Sequence, residues 1–150
     1  MEIKKLASGE GALLHDLSRA AFGSRSPWSE EELNTMLNQE HMKFYMASEE
    51  GISLGFIGCS HILDEVEIYM VGIKKNYRSQ GYGSRLINLF LTHMWKKNMN
   101  RIYLEVRSLN QPALALYKKA GFLPIGYRKN YYKEPLDDAV IMAINRKELL

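Results

Sequence analysis

The chain has 150 residues, the usual length of one domain, and its composition is that of a soluble globular protein, with 46% hydrophobic and 25% charged residues. Its 20 Lys and Arg against 17 Asp and Glu give a net charge of +3, too mild for the concentrated basic face of a general nucleic-acid-binding protein. The single cysteine, Cys59, excludes an intramolecular disulfide framework and fits a reducing compartment.

The first half of the sequence predicts a strand, two helices and three further strands. Residues 2–6 form the first strand, and residues 10–22 form a helix whose apolar residues share one face. A capping-box pattern from Ser29 to Glu32 begins a second helix that runs to about residue 38. Strands follow at 43–47, 52–63 and 64–73, and glycines weaken the second of them.

The second half predicts two helices and three strands. Apolar residues between 86 and 95 recur at helical spacing, and this helix ends near residues 98–100. Residues 101–106 read as a buried central strand, because their apolar character is nearly continuous. Pro112 suits the first turn of the next helix and Gly121 its left-handed end, and strands follow at 122–132 and 137–144. The order β-α-α-β-β-β-α-β-α-β-β indicates one α/β domain, residues 1–150, with a mixed sheet.

Membrane and metal signals are missing from the sequence. The N-terminus lacks the apolar run of a signal peptide, and no stretch approaches the roughly 18 apolar residues of a membrane span. The four histidines form no H-x-x-x-H pair and have no cysteine companions. We therefore expect a cytoplasmic protein with no metal site and no membrane or nucleic-acid partner.

The segment R-S-Q-G-Y-G, residues 78–83, lies between the end of a strand and the start of a helix. Exposed amides and the positive dipole end of a helix favour a phosphate there, and glycine lets a ligand approach the backbone. Arg78 can add a charge-assisted contact. The Walker pattern is absent, and Leu86 replaces the third glycine of the dinucleotide-binding fingerprint. Taken alone, the segment is equally compatible with a helix start in which the glycines only allow the turn and no ligand binds.

Four segments together carry a family resemblance. R-S-Q-G-Y-G fits [Q/R]-x-x-G-x-[G/A] and resembles the pyrophosphate-binding signature of the GNAT acetyltransferases. Residues 103–122 resemble the second half of that fold, while SPWSEEEL and YRKNYYKEPLDDAVIM resemble segments of its RimI-type branch. The resemblance implies the GNAT fold: a mixed, mostly antiparallel central sheet flanked by helices, with its central parallel strands splayed apart.

The resemblance also implies acetyl-CoA as the acetyl donor and assigns residues to it. Asn110 resembles a residue that contacts the cofactor, although it equally suits a helix N-cap. A backbone N–H of the segment Val71-Gly72-Ile73 would polarise the thioester carbonyl. Gly72 itself indicates a bulge or a close backbone approach, or merely easier packing against a helix. The residues implied for the pyrophosphate are Arg78, Ser79, Gln80, Gly81, Tyr82, Gly83 and Ser84.

Glu105 interrupts the apolar strand at 101–106, and a buried ionisable group needs a function or a partner. Burial raises the pKa of a carboxyl group, which suits a general base near neutral pH. The α-amine, with a reference pKa of about 7.7–8.0, is easier to deprotonate than lysine, near 10.4. The resemblance aligns Glu105 with the family's base. A salt bridge to Arg107 or another cation is the alternative, and Glu67 is the rival base.

Three tyrosines complete the implied site. The resemblance makes Tyr117 the acid that protonates the departing thiolate, although an aromatic at this helical position also suits the core. Tyr131 and Tyr132 lie where the RimI-type branch contacts the first residues of a peptide. Ser26, where an aromatic is frequent, departs from the branch's commonest form in a way that alters the acceptor pocket. Lys74-Lys75, where Asp-Pro is frequent, makes the cofactor side more basic.

The function implied by the resemblance is transfer of an acetyl group to the N-terminal amine of a protein. The expected acceptor is the N-terminal alanine of a small-subunit ribosomal protein. Two alternatives remain open: the same fold acting on a small-molecule amine or a lysine side chain, and a catalytically silent acyl-CoA-binding module.

Overall fold

A computed structural model describes residues 1–147, which form seven strands and four helices in the predicted order. The last three residues of the predicted 1–150 domain lie outside the described residues. The strands are β1 (Glu2–Lys5), β2 (Met42–Glu49), β3 (Ile52–Ile62), β4 (Glu65–Ile73), β5 (Arg101–Arg107), β6 (Leu123–Lys133) and β7 (Leu136–Asn145). The helices are α1 (Gly11–Phe22), α2 (Glu30–Leu37), α3 (Tyr82–Lys96) and α4 (Gln111–Ala120).

Local side-chain chemistry sets the helix ends. The predicted capping box is present, because the Ser29 hydroxyl accepts from the Glu32 N–H at 3.1 Å and the Glu32 carboxylate accepts from the Ser29 N–H at 3.2 Å. The side chain of Asn110 accepts from the Ala113 N–H at 3.2 Å and caps α4. Gly121 ends α4 with φ of 109°, in the left-handed region that glycine favours.

The seven strands form one sheet in the order β1-β2-β3-β4-β5-β7-β6. Strands β4 and β5 are parallel, and the other neighbouring pairs are antiparallel. The predicted fold class, a mixed and mostly antiparallel sheet flanked by helices, is therefore confirmed.

The parallel pairing of β4 with β5 is short. Residues Glu65–Ile68 pair with Arg101–Leu104, yet β4 continues to Ile73 and β5 to Arg107. Over these extensions β4 remains paired with β3, and β5 with β7, on their outer sides. The two central strands therefore separate, and their inner backbone edges have no strand partner within residues 1–147.

Helices cover the two faces of the sheet unequally. Helices α3 and α4 cover one face along its width, and the buried core beneath them includes residues of β2, β3, β4, β5 and β7. Helices α1 and α2 pack on β2, β3 and β4 on the other face. Strand β5 is consequently buried on one face only, through Ile102, Leu104 and Val106, and the expectation that it is buried throughout is wrong. No helix within residues 1–147 has the length and apolar character needed to span a bilayer.

Candidate active site

The inner edge of β4 carries the segment Val71-Gly72-Ile73 beside the gap between β4 and β5. A Cβ on Gly72 would lie 2.6 Å from a ring carbon of Phe56 and 3.0 Å from the Cβ of Ala21 in α1. Gly72 therefore serves close packing against a ring and a helix, and it stays in register opposite Phe56. The irregularity of β4 lies at Tyr69, because Met70 pairs with Gly58 and Ile68 with Cys59.

Residues 78–81 lead directly into α3. Gly81 precedes the helix with φ of 84°, and a Cβ there would meet nothing within 4 Å, so backbone conformation rather than space requires the glycine. The first turn of α3, Tyr82, Gly83 and Ser84, contains no acidic residue. The amides that begin a helix lack partners inside it, so this end of α3 offers donors to an anion.

Arg78 makes two contacts with backbone carbonyl groups. Its Nε donates to the Ile73 oxygen at 3.2 Å, and its Nη2 donates to the Ala21 oxygen at the end of α1. Arg78 thus ties α1 and the end of β4 to the loop. Its predicted contact with a phosphate stays a prediction, as do those of Ser79 and Gln80.

A cavity of about 800 Å³ opens between the end of α1, the loop to α2, and β4. Ser26 contributes to the loop's hydrogen bonds: its hydroxyl lies 2.7 Å from that of Ser18 and donates to the Trp28 oxygen at 3.3 Å. Three aromatic side chains from different elements lie together here: Phe22, Trp28 and Tyr69. Nothing in the sequence indicated that they would meet. The residues that line this cavity are Ala21, Phe22, Pro27, Trp28, Tyr69, Met70, Val71, Lys75 and Arg78.

A second cavity, of about 420 Å³, lies on the face of β4–β7 that no helix of residues 1–147 covers. It brings Glu105 and its rival Glu67 together, because Glu67 pairs with Tyr103 across the parallel strands and Glu105 is two residues further along β5. The lining includes three carboxylates and two guanidinium groups, from Glu65, Glu67, Arg101, Tyr103, Glu105, Ile125, Arg128 and Ile141.

Glu105 forms an ion pair with a cation other than Arg107. The Nε of Arg128 lies 3.0 Å from its Oε1, and 19% of the Glu105 side chain is exposed. Arg107 instead donates to the Pro135 oxygen at 2.9 Å and stacks 4.1 Å above the Tyr132 ring. Both alternatives for Glu105, a base and an ion-pair partner, are thus compatible with its surroundings.

Tyr131 and Tyr132 lie beside this ion pair. Their ring centroids are 5.0 Å apart, and the guanidinium carbon of Arg128 is 5.3 Å from the Tyr131 centroid. Burial raises the pKa of Tyr132, and the nearby Glu105 adds to the shift. Both predicted acceptor-binding tyrosines therefore adjoin Glu105.

Two further tyrosines face the same carboxylates. A hydrogen bond with Ser60 lowers the pKa of Tyr69, but burial and Glu67 outweigh it and raise the pKa above its ordinary value. Burial raises the pKa of Tyr103, and Glu67 adds to the shift. The two-residue period of strands would have placed Tyr103 with Glu105 and Tyr69 with Glu67. The bulge at Tyr69, which brings Met70 to the face of α1 and α2, leaves no trace in the sequence.

Tyr117 lies on the other face of the sheet, in the core beneath α3 and α4. Its side chain is 8% exposed, its ring centroid is 5.6 Å from that of Phe122, and burial raises its pKa to about 12. Tyr117 and Glu105 thus occupy opposite faces of the sheet.

Comparisons with known proteins show the family of the chain. Residues 12–122 match the Acetyltransferase (GNAT) family. The chain is 30% identical over 120 residues to the [ribosomal protein bS18]-alanine N-acetyltransferase of Escherichia coli, covering 79% of this chain and 80% of that protein. It is 31% identical over 131 residues to the N-alpha-acetyltransferase RimI of Mycobacterium tuberculosis, covering 85% and 81%.

Solved structures resemble the chain along its whole length. The crystal structure of the ribosomal-protein-S18-alanine N-acetyltransferase from Escherichia coli superposes with a TM-score of 0.85 at 26% identity, covering 99% of this chain and 95% of that one. The spermidine N-acetyltransferase of Vibrio cholerae, solved with CoA and spermine, shares the fold with a TM-score of 0.78 at 20% identity, covering 96% and 94%.

The buried phenol of Tyr117 predicts a loss of stability at alkaline pH. The folded state keeps this hydroxyl protonated up to a pKa of about 12, whereas an unfolded tyrosine ionises near its ordinary value of about 10. The protonated phenol stabilises the folded state fully below the pKa of the unfolded state, and this stabilisation is lost as pH rises toward the pKa of the folded state. The loss is on the order of 2 kcal/mol of unfolding free energy. Urea unfolding between about pH 9 and pH 12 should therefore show a smaller decline for Tyr117→Phe than for the wild type. Tyr127→Phe, at a 70% exposed tyrosine, is the control and should decline like the wild type. Equal declines for all three proteins would contradict the prediction.

Proposed function

The chain belongs to the acetyltransferase (GNAT) family and is an acetyl-CoA-dependent N-acetyltransferase, and we propose that its acceptor is the N-terminal amine of a protein. The observation that carries this proposal is the shared position of Glu105, Tyr131 and Tyr132 beside one carboxylate-lined cavity on the open face of the sheet. The names of the relatives support an acceptor that begins with alanine and belongs to a ribosomal protein.

The donor side of the proposal uses residues 78–84 and the gap between the central strands. The amides that begin α3 suit a pyrophosphate, and the left-handed backbone at Gly81 keeps them clear of side chains. The unpaired inner edge of β4, at Val71-Gly72-Ile73, has backbone groups for an extended pantetheine and for the thioester oxygen. Asn110, which caps α4, completes the set of residues proposed to contact acetyl-CoA.

On the acceptor side, Glu105 removes the proton of the incoming ammonium group. The nitrogen then attacks the thioester carbonyl carbon, the carbon–sulfur bond breaks, and the thiolate of CoA leaves. The nitrogen gives up its second proton to water, which leaves the neutral amide. Glu65, Glu67 and Glu105 make the cavity favourable for a cationic amine before its deprotonation. An α-amine, with a pKa about 2–3 units below that of lysine, gives up its proton more readily to a carboxylate.

Tyr117 supplies the proton that the thiolate takes up. Because its pKa is raised to about 12, the phenol is protonated throughout the neutral range, and the same shift makes it a weaker acid than an exposed tyrosine. Its position on the face of α3 and α4, across the gap from Glu105, suits an acid and a base that act on opposite sides of one thioester.

Acetyl-CoA should raise the melting temperature, because a ligand that binds only the native state stabilises it by mass action. At about 100 times Kd the gain is about 2.7 kcal/mol, or roughly 5–10 °C for a chain of this size. Gly81→Leu should abolish most of this shift. Gly9→Leu is the matched control, since Gly9 also has a left-handed φ, 90°, and open space at its Cβ, and it precedes α1 far from the loop. Both variants should lose similar stability without ligand, and only the Gly9 variant should keep the shift. A wild type that saturating acetyl-CoA does not stabilise would contradict the assignment.

Glu105→Gln should lower kcat by on the order of 10²–10⁴ while the KM for acetyl-CoA stays unchanged, because the lost group acts on the amine. The deficit should shrink as pH rises above the pKa of the amine, which then arrives deprotonated. Glu67→Gln, in the same cavity, is the matched comparison and should cost much less. The opposite ranking of the two variants, in steady-state kinetics with a peptide acceptor, would assign the base to Glu67.

The acceptor itself is tested with a peptide that begins with alanine and contains an internal lysine. We expect mass spectrometry to place the acetyl group on the α-amine, since pocket geometry must select a terminus from among many more lysines. The same peptide with a blocked N-terminus is the control and should stay unmodified. Acetylation of the lysine with a free N-terminus left untouched would overturn the proposal. Preference for a methionine-starting version would indicate an acceptor pocket widened around Ser26.

A further inference from the structure

The ion pair between Arg128 and Glu105 points to a residue that the proposed chemistry has not yet used. We propose that Arg128 is a positioning residue, which holds the Glu105 carboxylate in the orientation that receives the proton of the acceptor amine. This inference rests on the proposed function and deepens it, since it concerns how the base is held.

The pair spans three strands of the sheet. Arg128 in β6 lies opposite Ala139 of β7, and Glu105 in β5 lies opposite Ile141 on the other side of β7. Neighbouring strands are about 4.8 Å apart, so β5 and β6 are separated by about 10 Å. Only long side chains can close that distance, and the Nε of Arg128 comes within 3.0 Å of the Glu105 Oε1.

Glu105 differs from the other carboxylates of the cavity in having a cationic partner. Glu65 and Glu67 line the same cavity, yet within residues 1–147 neither forms an ion pair, and Arg101 forms none either. A cation that only balanced the charge of the cavity would have no reason to select Glu105. The pairing therefore singles out the carboxylate that the proposed mechanism requires.

The pair is placed where it contributes little to folding. The side chain of Arg128 is 55% exposed, and ion pairs in contact with water have small effects on stability. Its planar guanidinium group also faces Tyr131, 5.3 Å from the ring centroid. Arg128 therefore joins the base to a tyrosine proposed to contact the acceptor, and an acceptor seated on Tyr131 meets a carboxylate already fixed in direction.

A base that rotates freely spends part of its time away from the amine, and small misplacements of reacting groups are costly. Arg128→Gln should therefore lower kcat on the order of 10- to 100-fold, with the KM for acetyl-CoA unchanged. Arg128→Lys, which keeps the charge and most of the reach, should recover a large part of the loss. In a Glu105→Gln background, Arg128→Gln should have no further effect, because there is no carboxylate left to orient.

These four variants form a double-mutant cycle with a conservative rescue. Coupling between positions 105 and 128, together with recovery by lysine, supports the positioning role. Independent effects that multiply in the double variant would overturn it, and so would a lysine variant as slow as the glutamine variant. A wild type that acetylates no peptide would contradict the proposed function instead, so the ion pair also needs a measurement that does not depend on turnover.

Carbon-detected NMR of the Glu105 carboxyl group, identified by its loss in Glu105→Gln, supplies that measurement. The resonance should move in Arg128→Gln and stay in place in Lys129→Gln, which removes an equal charge from the next residue of β6. Lys129→Gln should also keep the wild-type kcat. A resonance unaffected by Arg128→Gln would show that Arg128 does not hold the carboxylate, and the proposal would then fail whatever the acceptor is.

Discussion

The early end of the hydrogen-bond ladder between β4 and β5 is the constraint on which the rest of the site depends. Each strand keeps its outer partner, β3 or β7, so both remain extended after they part at Ile68 and Leu104. Unpaired backbone groups inside a protein are costly unless something bonds to them. An extended substrate with amide groups, as the pantetheine of acetyl-CoA is proposed to be here, would satisfy them where the ladder is interrupted.

The unequal coverage of the two faces determines which chemistry is possible on each. Under α3 and α4 a phenol is shielded from water and stays neutral, as the raised pKa of Tyr117 indicates. On the uncovered face a carboxylate can remain partly hydrated and accept an ion-pair partner, as Glu105 does with Arg128. The tyrosine proposed as the acid and the glutamate proposed as the base therefore lie in different environments, one shielded from water and the other partly exposed.

Much of the fold could be predicted from the sequence, because its signals are local. The capping box at Ser29, the cap at Asn110 and the left-handed end at Gly121 each act within one turn, and all three are present. Strand β5 shows where this reasoning stops. Its apolar letters predicted burial on both faces, but whether a helix covers the second face is a property of the whole chain.

For the candidate site, too, the sequence identified single residues but not their partners in the fold. A charge inside an apolar strand identified Glu105 as unusual, but its partner could not be found by spacing, since Arg128 lies two strands away across β7. The contacts of Arg78 with the ends of α1 and β4 are equally non-local. The roles of the individual residues in binding and proton transfer stay predictions.

The division of the site between two faces of one sheet has a consequence for how such an enzyme can diversify. In the proposed site the donor half comprises the start of α3 and the inner edge of β4, whereas the acceptor half comprises the loop around Ser26 and β6. The loop meets the donor half in the cavity of about 800 Å³, where Pro27 and Trp28 lie with Val71 and Arg78, whereas β6 is an edge strand that lines a separate cavity. The proposed division would let such an enzyme keep its donor while an edge strand changes its acceptor, whereas a change in the loop around Ser26 also adjoins the donor half.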